Sequence, residues 1–214
     1  MATITFTQHP TKPTERELGN IEVALTKLWE LDHNRLEPGR DPTFKAFYAI
    51  LDNYIARTGI PEVVDSVEIY ENDVFIRESL KTAPMQYVFQ YLVAKRKIKN
   101  NQNEFRGLLN NLWFHMYRRE VKGDSSGFEH VFLGEVRNEQ AIAFHNWINF
   151  YYNEKKGMLR YEGYVVPRSD PHAKVNILHF VVQDIRVNIK VHPLYQGGVR
   201  RIGAAYPEIH GHIV

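Results

Sequence analysis

Apolar positions recur at helical spacing through the first half of the chain. Leu18, Ile21, Leu25, Leu28 and Trp29 share one face of a helix that begins behind Thr14, whose hydroxyl suits an N-cap ahead of an acidic first turn. Phe44, Phe47, Ile50, Leu51 and Tyr54 share another face over 43–58, with Gly59 and Pro61 as the stop. The pattern predicts three more helices, over 73–81, 85–98 and 104–120. "HNRLEPGRDP" (33–42) separates the first two helices, and residues 1–14 read as a loose arm.

Beyond "KGDSSGFEH" turn residues multiply and β-branched runs appear: "HVFLGEV", "YEGYVV", "VNILHFVV", "IRVNIKVHPLY" and "VRRIGAAY". "QGG" (196–198) reads as a hairpin turn between the last two runs. One helix, "EQAIAFHNWINFYYNEKKG", interrupts them and ends at Gly157. The chain is therefore expected to be one α+β domain. A helical N-terminal lobe (1–120) precedes a C-terminal lobe (121–214) of antiparallel β-sheets.

Composition changes this picture only by exclusion. The 214 residues include no cysteine, which removes disulfides, Cys-ligated zinc and thiol catalysis. A net charge of +2 gives no overall signature of nucleic-acid binding, so any such surface must be local. No run of about 18 apolar residues occurs, and the N-terminus lacks a basic stretch followed by an apolar core. The expected compartment is the cytoplasm.

Two histidines stand out because imidazole titrates near neutral pH. His130 lies in an alternating pattern beside Glu129, and His145 lies at the start of an aromatic helix. Each suits acid–base work, and each also suits a packed or strand-surface histidine. "KRKIK" (95–99) reads as a solvated helix end or a phosphate contact. "HGH" (210–212) reads as a flexible tail or a metal ligand pair.

The blocks "SGFEHVFLGE", "FHNWINFYYNEKKG" and "IGAAYPEI" resemble the catalytic half of the EndoU (XendoU-like, poly(U)-specific) endoribonucleases. "LTKLWELDHNRLEPGRD", "TFKAFYAILDNY" and "LWFHMYRRE" resemble its helical half, in the family's order. The resemblance implies a catalytic groove between two lobes. It implies cleavage of single-stranded RNA at uridines, with attack by the 2′-hydroxyl and a 2′,3′-cyclic phosphate product. It also implies Mn2+, or Ca2+, as a promoting ion, and no organic cofactor. The matching catalytic histidines are His145 as base and His130 as acid. Glu129 and Glu135 match acidic positions that orient the histidine or help hold a cation. Tyr206 and Asn146 are candidates for substrate contact.

The family's third catalytic group is a lysine. Lys190 fits its distance from His145, Lys174 is the competitor, and Arg186 would be a departure. Only 59 positions separate His145 from Ala204, fewer than in the family. Ala204 stands where the family has a threonine that helps read uracil, and Ala143 stands where it usually has glycine. These departures keep two alternatives open: a catalytically impaired RNA-binding protein, and a partner-binding module recognised by an inhibitor protein. A monomer is the expected state.

Overall fold

The computed structural model describes residues 12–32, 41–51, 54–55, 57–138, 140–143, 145–157, 176–182 and 185–212. "YEGYVV", Lys174 and most of "HNRLEPGRDP" lie outside them. Among these residues six helices come first: α1 (Glu15–Gly19), α2 (Ile21–Leu31), α3 (Pro42–Ile50), α4 (Ser66–Leu80), α5 (Ala83–Ala94) and α6 (Gln102–Trp113). Strands β1 (Tyr117–Arg118) and β2 (Lys122–Ser125) form one antiparallel pair, and β3 (Glu135–Arg137) and β4 (Gln140–Ile142) another. Helix α7 (Trp147–Lys155) precedes a three-stranded antiparallel sheet of β5 (Asn176–Val182), β6 (Ile185–Gln196) and β7 (Val199–His212), in that order. The α+β class expected from the sequence is the one observed.

Local chemistry explains where the elements differ from the periodic reading. The first helix is two, because Asn20 ends α1 and its side chain caps α2 through Glu22 N. Thr14 caps α1 with Glu17 in a reciprocal capping box, as its position predicted. Helix α3 stops at Ile50 rather than at Gly59. The chain beyond it is recruited elsewhere: Ile55 N–H donates to Glu62, and Thr58 N–H donates to Val136 O at 3.1 Å. Helix α4 begins seven residues before the predicted start, because Asp65 and Glu68 form a second capping box. Helix α6 is shorter than predicted, and Tyr117–Arg118 pairs with β2.

Two corrections bear on the site. "HVFLGEV" is not a strand: Glu129–Leu133 is a π-helical turn, and β3 starts only at Glu135. Within the helix predicted over 139–157, Gln140–Ile142 is a strand, β4, and α7 follows it. "HGH" is not a tail in its backbone, since β7 runs to His212.

The π-helical turn is held by aromatic packing. Phe128 is fully buried among Phe47, Phe75, Phe114 and Phe132, with centroid distances of 4.6 to 5.9 Å. Truncating such a side chain typically costs about 3–5 kcal/mol. The segment that carries His130 is thereby anchored to the rings of α3 and α4. Among the described residues, no helix is long and apolar enough to cross a membrane.

Candidate active site

His130 sits on a turn that the sequence builds with a third capping box. Ser126 N–H donates to Glu129 Oε2 at 2.8 Å, and Glu129 N–H donates to Ser126 Oγ at 3.2 Å. The far end is closed by α7, where buried Asn149 donates to the carbonyls of Phe132 and Leu133. Gly134 then adopts φ +83°, ψ 159°, a region open essentially to glycine alone. That reversal brings Glu135 back beneath His130.

The Glu135 carboxylate lies 2.7 Å from His130 Nδ1, and its side chain is only 3% exposed. Ser125 Oγ donates to its other oxygen, and Arg119 Nε lies 3.8 Å away. Burial acts to raise the Glu135 pKa. The bond and charge of His130, the Ser125 hydroxyl and Arg119 outweigh burial and hold it below the usual carboxylate range. An ionised Glu135 accepts a hydrogen bond from His130 Nδ1–H, which leaves Nε2 as the working nitrogen. The His130 pKa is lowered, chiefly by burial, against the opposing pull of Glu135.

Glu129 does something else. Its carboxylate caps the turn and faces a small cavity lined by Ile50, Tyr54, Glu62, Phe128 and Leu133. Burial, then the charge of Glu62, push its pKa up to about 8. Of the two flanking acids, Glu135 is the one that orients His130.

His145 reaches the same place through the backbone: its N–H donates to Val131 O, the residue after His130, at 2.9 Å. Burial first, then the charges of His130 and His192, lower its pKa to about 4. Its ring lies 4.8 Å from that of Tyr206. Asn146 Oδ1 caps α7, accepting from Ile148 N–H and Asn149 N–H.

Tyr206 comes from the β6–β7 hairpin, which turns through Gly197 (φ +58°) and Gly198 (φ +76°) as "QGG" predicted. The register shifts by one residue between His192 and Pro193. A one-residue shift moves side chains to the opposite face. The bulge therefore sets Lys190 opposite Tyr206 and His192 opposite Ala204, all on one face. Lys190 Nζ is bound to Glu208 Oε1 at 2.7 Å, which holds its pKa up. His192 was not singled out from the sequence. Its Nε2 lies 3.2 Å from the Tyr206 hydroxyl and its ring stacks 5.6 Å from the tyrosine ring. Only the bulge reveals it, and Pro193, which has no N–H for a ladder, was the available signal.

No three His, Asp or Glu side chains converge as metal ligands among the described residues. His130 and Glu135 are committed to each other, and Glu129 to its cap. These residues do not fit a resident Mn2+ or Ca2+.

Paired imidazoles, one backed by a buried carboxylate, on a helical layer joined to antiparallel sheets define an acid–base enzyme. The family described as Endoribonuclease XendoU matches residues 3–186, and the chain belongs to it; it is an EndoU-type endoribonuclease. Poly(U)-specific endoribonuclease-A of Xenopus laevis is 44% identical over 187 residues, covering 68% of this chain and 64% of that protein. Uridylate-specific endoribonuclease C of Danio rerio is 33% identical over 219 aligned residues, 80% of this chain and 70% of its own. A solved structure of XendoU, described as a splicing independent snoRNA processing endoribonuclease, superposes with a TM-score of 0.73 at 28% identity. It covers 94% of this chain and 99% of its own. The family match ends before Lys190, His192 and Tyr206.

Proposed function

We propose that this protein cuts single-stranded RNA at uridines by attack of the ribose 2′-hydroxyl, leaving a 2′,3′-cyclic phosphate. The observation that carries the reading is the pair of imidazoles on hydrogen-bonded neighbouring segments, His145 N–H to Val131 O, in unlike environments. Burial and the two neighbouring imidazoles, His130 and His192, hold the His145 pKa at about 4, so it is neutral at pH 7, as a general base must be. It takes the 2′-hydroxyl proton as O2′ bonds to phosphorus. His130 is backed by the Glu135 anion, which favours its imidazolium once substrate phosphate adds further negative charge. It gives a proton to O5′ as the P–O5′ bond breaks. Tyr206 offers a flat ring beside His145 on which a base or ribose can stack. Neither proton transfer requires a metal ion.

A gel assay on a short uridine-containing RNA tests this reading. The native protein cleaves, while His130→Ala and His145→Ala each lose at least about 100-fold, the usual worth of a general acid or base. Equal cleavage by all three overturns it. Binding of intact RNA with no cleavage would instead favour the impaired RNA-binding alternative.

A further inference from the structure

We propose that His192, rather than Lys190, is the third cationic group of this site and acts on the phosphate in its protonated form. The inference rests on the function proposed above and on four placements. His192 lies on the same hairpin face as Tyr206 and bonds its hydroxyl through Nε2 at 3.2 Å. Tyr206 in turn packs its ring on His145 at 4.8 Å, so one side chain joins His192 to the base. His192 also lies close enough to both other imidazoles for its charge to act on each. Finally, two neighbouring cations among the described residues are engaged: Lys190 with Glu208, and Arg119 with Tyr117 Oη and Gly203 O behind Glu135.

Three imidazoles around one small space cannot all be charged without an anion, because like charges disfavour one another. A bound phosphodiester supplies that anion. Among the described residues, the groups facing His192 are Tyr206, His130 and His145, with Lys190 and Glu208 farther along the same hairpin face. Phosphate binding then favours protonation of His192, and its imidazolium stabilises charge on the non-bridging oxygens as O2′ attacks. The histidine forms no bond and transfers no proton in this role.

The test compares kcat/KM of His192→Ala, His192→Lys and Lys190→Ala with the native enzyme across pH. His192→Ala is expected to lose about 100-fold, the usual cost of removing one transition-state donor. That loss should exceed the loss in Lys190→Ala by at least about tenfold. His192→Lys should recover part of the activity and carry it to higher pH, since lysine stays charged to about pH 10. A purely structural histidine would not move the alkaline limb. NMR titration of the imidazoles supplies a readout independent of cleavage: uridine 3′-phosphate should raise the His192 midpoint by about one pH unit. A larger loss at Lys190 than at His192, or a His192 midpoint unmoved by uridine 3′-phosphate, overturns the proposal. Failure of the native enzyme to cut RNA would refute the function above, while the nucleotide titration would still decide the role of His192.

Discussion

Glu135→Gln is the substitution that probes the site most sharply, because it keeps shape and removes one charge. The carboxylate is nearly fully buried and makes a 2.7 Å contact with His130 Nδ1. A hydrogen bond to a charged group is worth about 1.5–3 kcal/mol. At about 1.4 kcal/mol per decade, its loss in the transition state lowers kcat/KM by about 10- to 150-fold. The direction of the pH effect follows from the same contact. Glu135 opposes the lowering of the His130 pKa by burial, so its loss lowers that pKa further. The acid then loses its proton at lower pH, and the alkaline limb of the profile moves down. Single-turnover cleavage across pH measures both effects, and a melting curve separates them from unfolding. Activity within about threefold of native, with an unmoved alkaline limb, would refute the orienting role of Glu135.

Three other substitutions test the supports of the site. Gly134→Ala forces a Cβ into a glycine-only region at a cost of about 1–3 kcal/mol; melting temperature should fall and activity with it, since Glu135 follows directly. Ala143 already holds φ +62° just before His145. Ala143→Gly should raise the melting temperature modestly, because the left-handed strain of about 1–2 kcal/mol exceeds the entropic cost of glycine; a fall would refute the strain. Glu129 has its folded pKa raised to about 8. The folded state therefore holds a proton that the unfolded chain releases near pH 4, and the stabilisation present below that pH is lost as pH rises towards about 8. Glu129→Gln keeps an acceptor for Ser126 N–H, so its melting temperature should exceed the native value more at about pH 8 than at about pH 5. A difference independent of pH would show that the carboxyl is not protonated in the fold.

Much of the fold was legible where local signals were strong. Thr14 announced its helix, and Gly197–Gly198 announced the hairpin. The reading failed where short polar residues outrank periodicity. Asp65 with Glu68, and Ser126 with Glu129, are both capping boxes that start helical turns, and the second converts an apparent strand into the π-helical turn under His130. Helix α3 ended early because its continuation is pulled into contact with Val136 by long-range hydrogen bonding, which periodicity does not encode. The two histidines were picked out through family resemblance, and the structure sets them on hydrogen-bonded segments. His192 was not, because a single-residue bulge decides which face it shares, and alternation alone would have set Tyr206 on the other side. Asn146 and Glu129 were read from the sequence as site residues, and their side-chain oxygens also accept the cap hydrogen bonds of α7 and of the π-helical turn.

One measurement bears directly on the idea that two imidazoles move protons across a single RNA phosphate. A short RNA with one uridine is compared with the same strand carrying 2′-deoxyuridine there. The account predicts cleavage of the first to a 2′,3′-cyclic phosphate and no cut at that position in the second, since the attacking hydroxyl is absent. Scission of the deoxy strand at the same bond would contradict it.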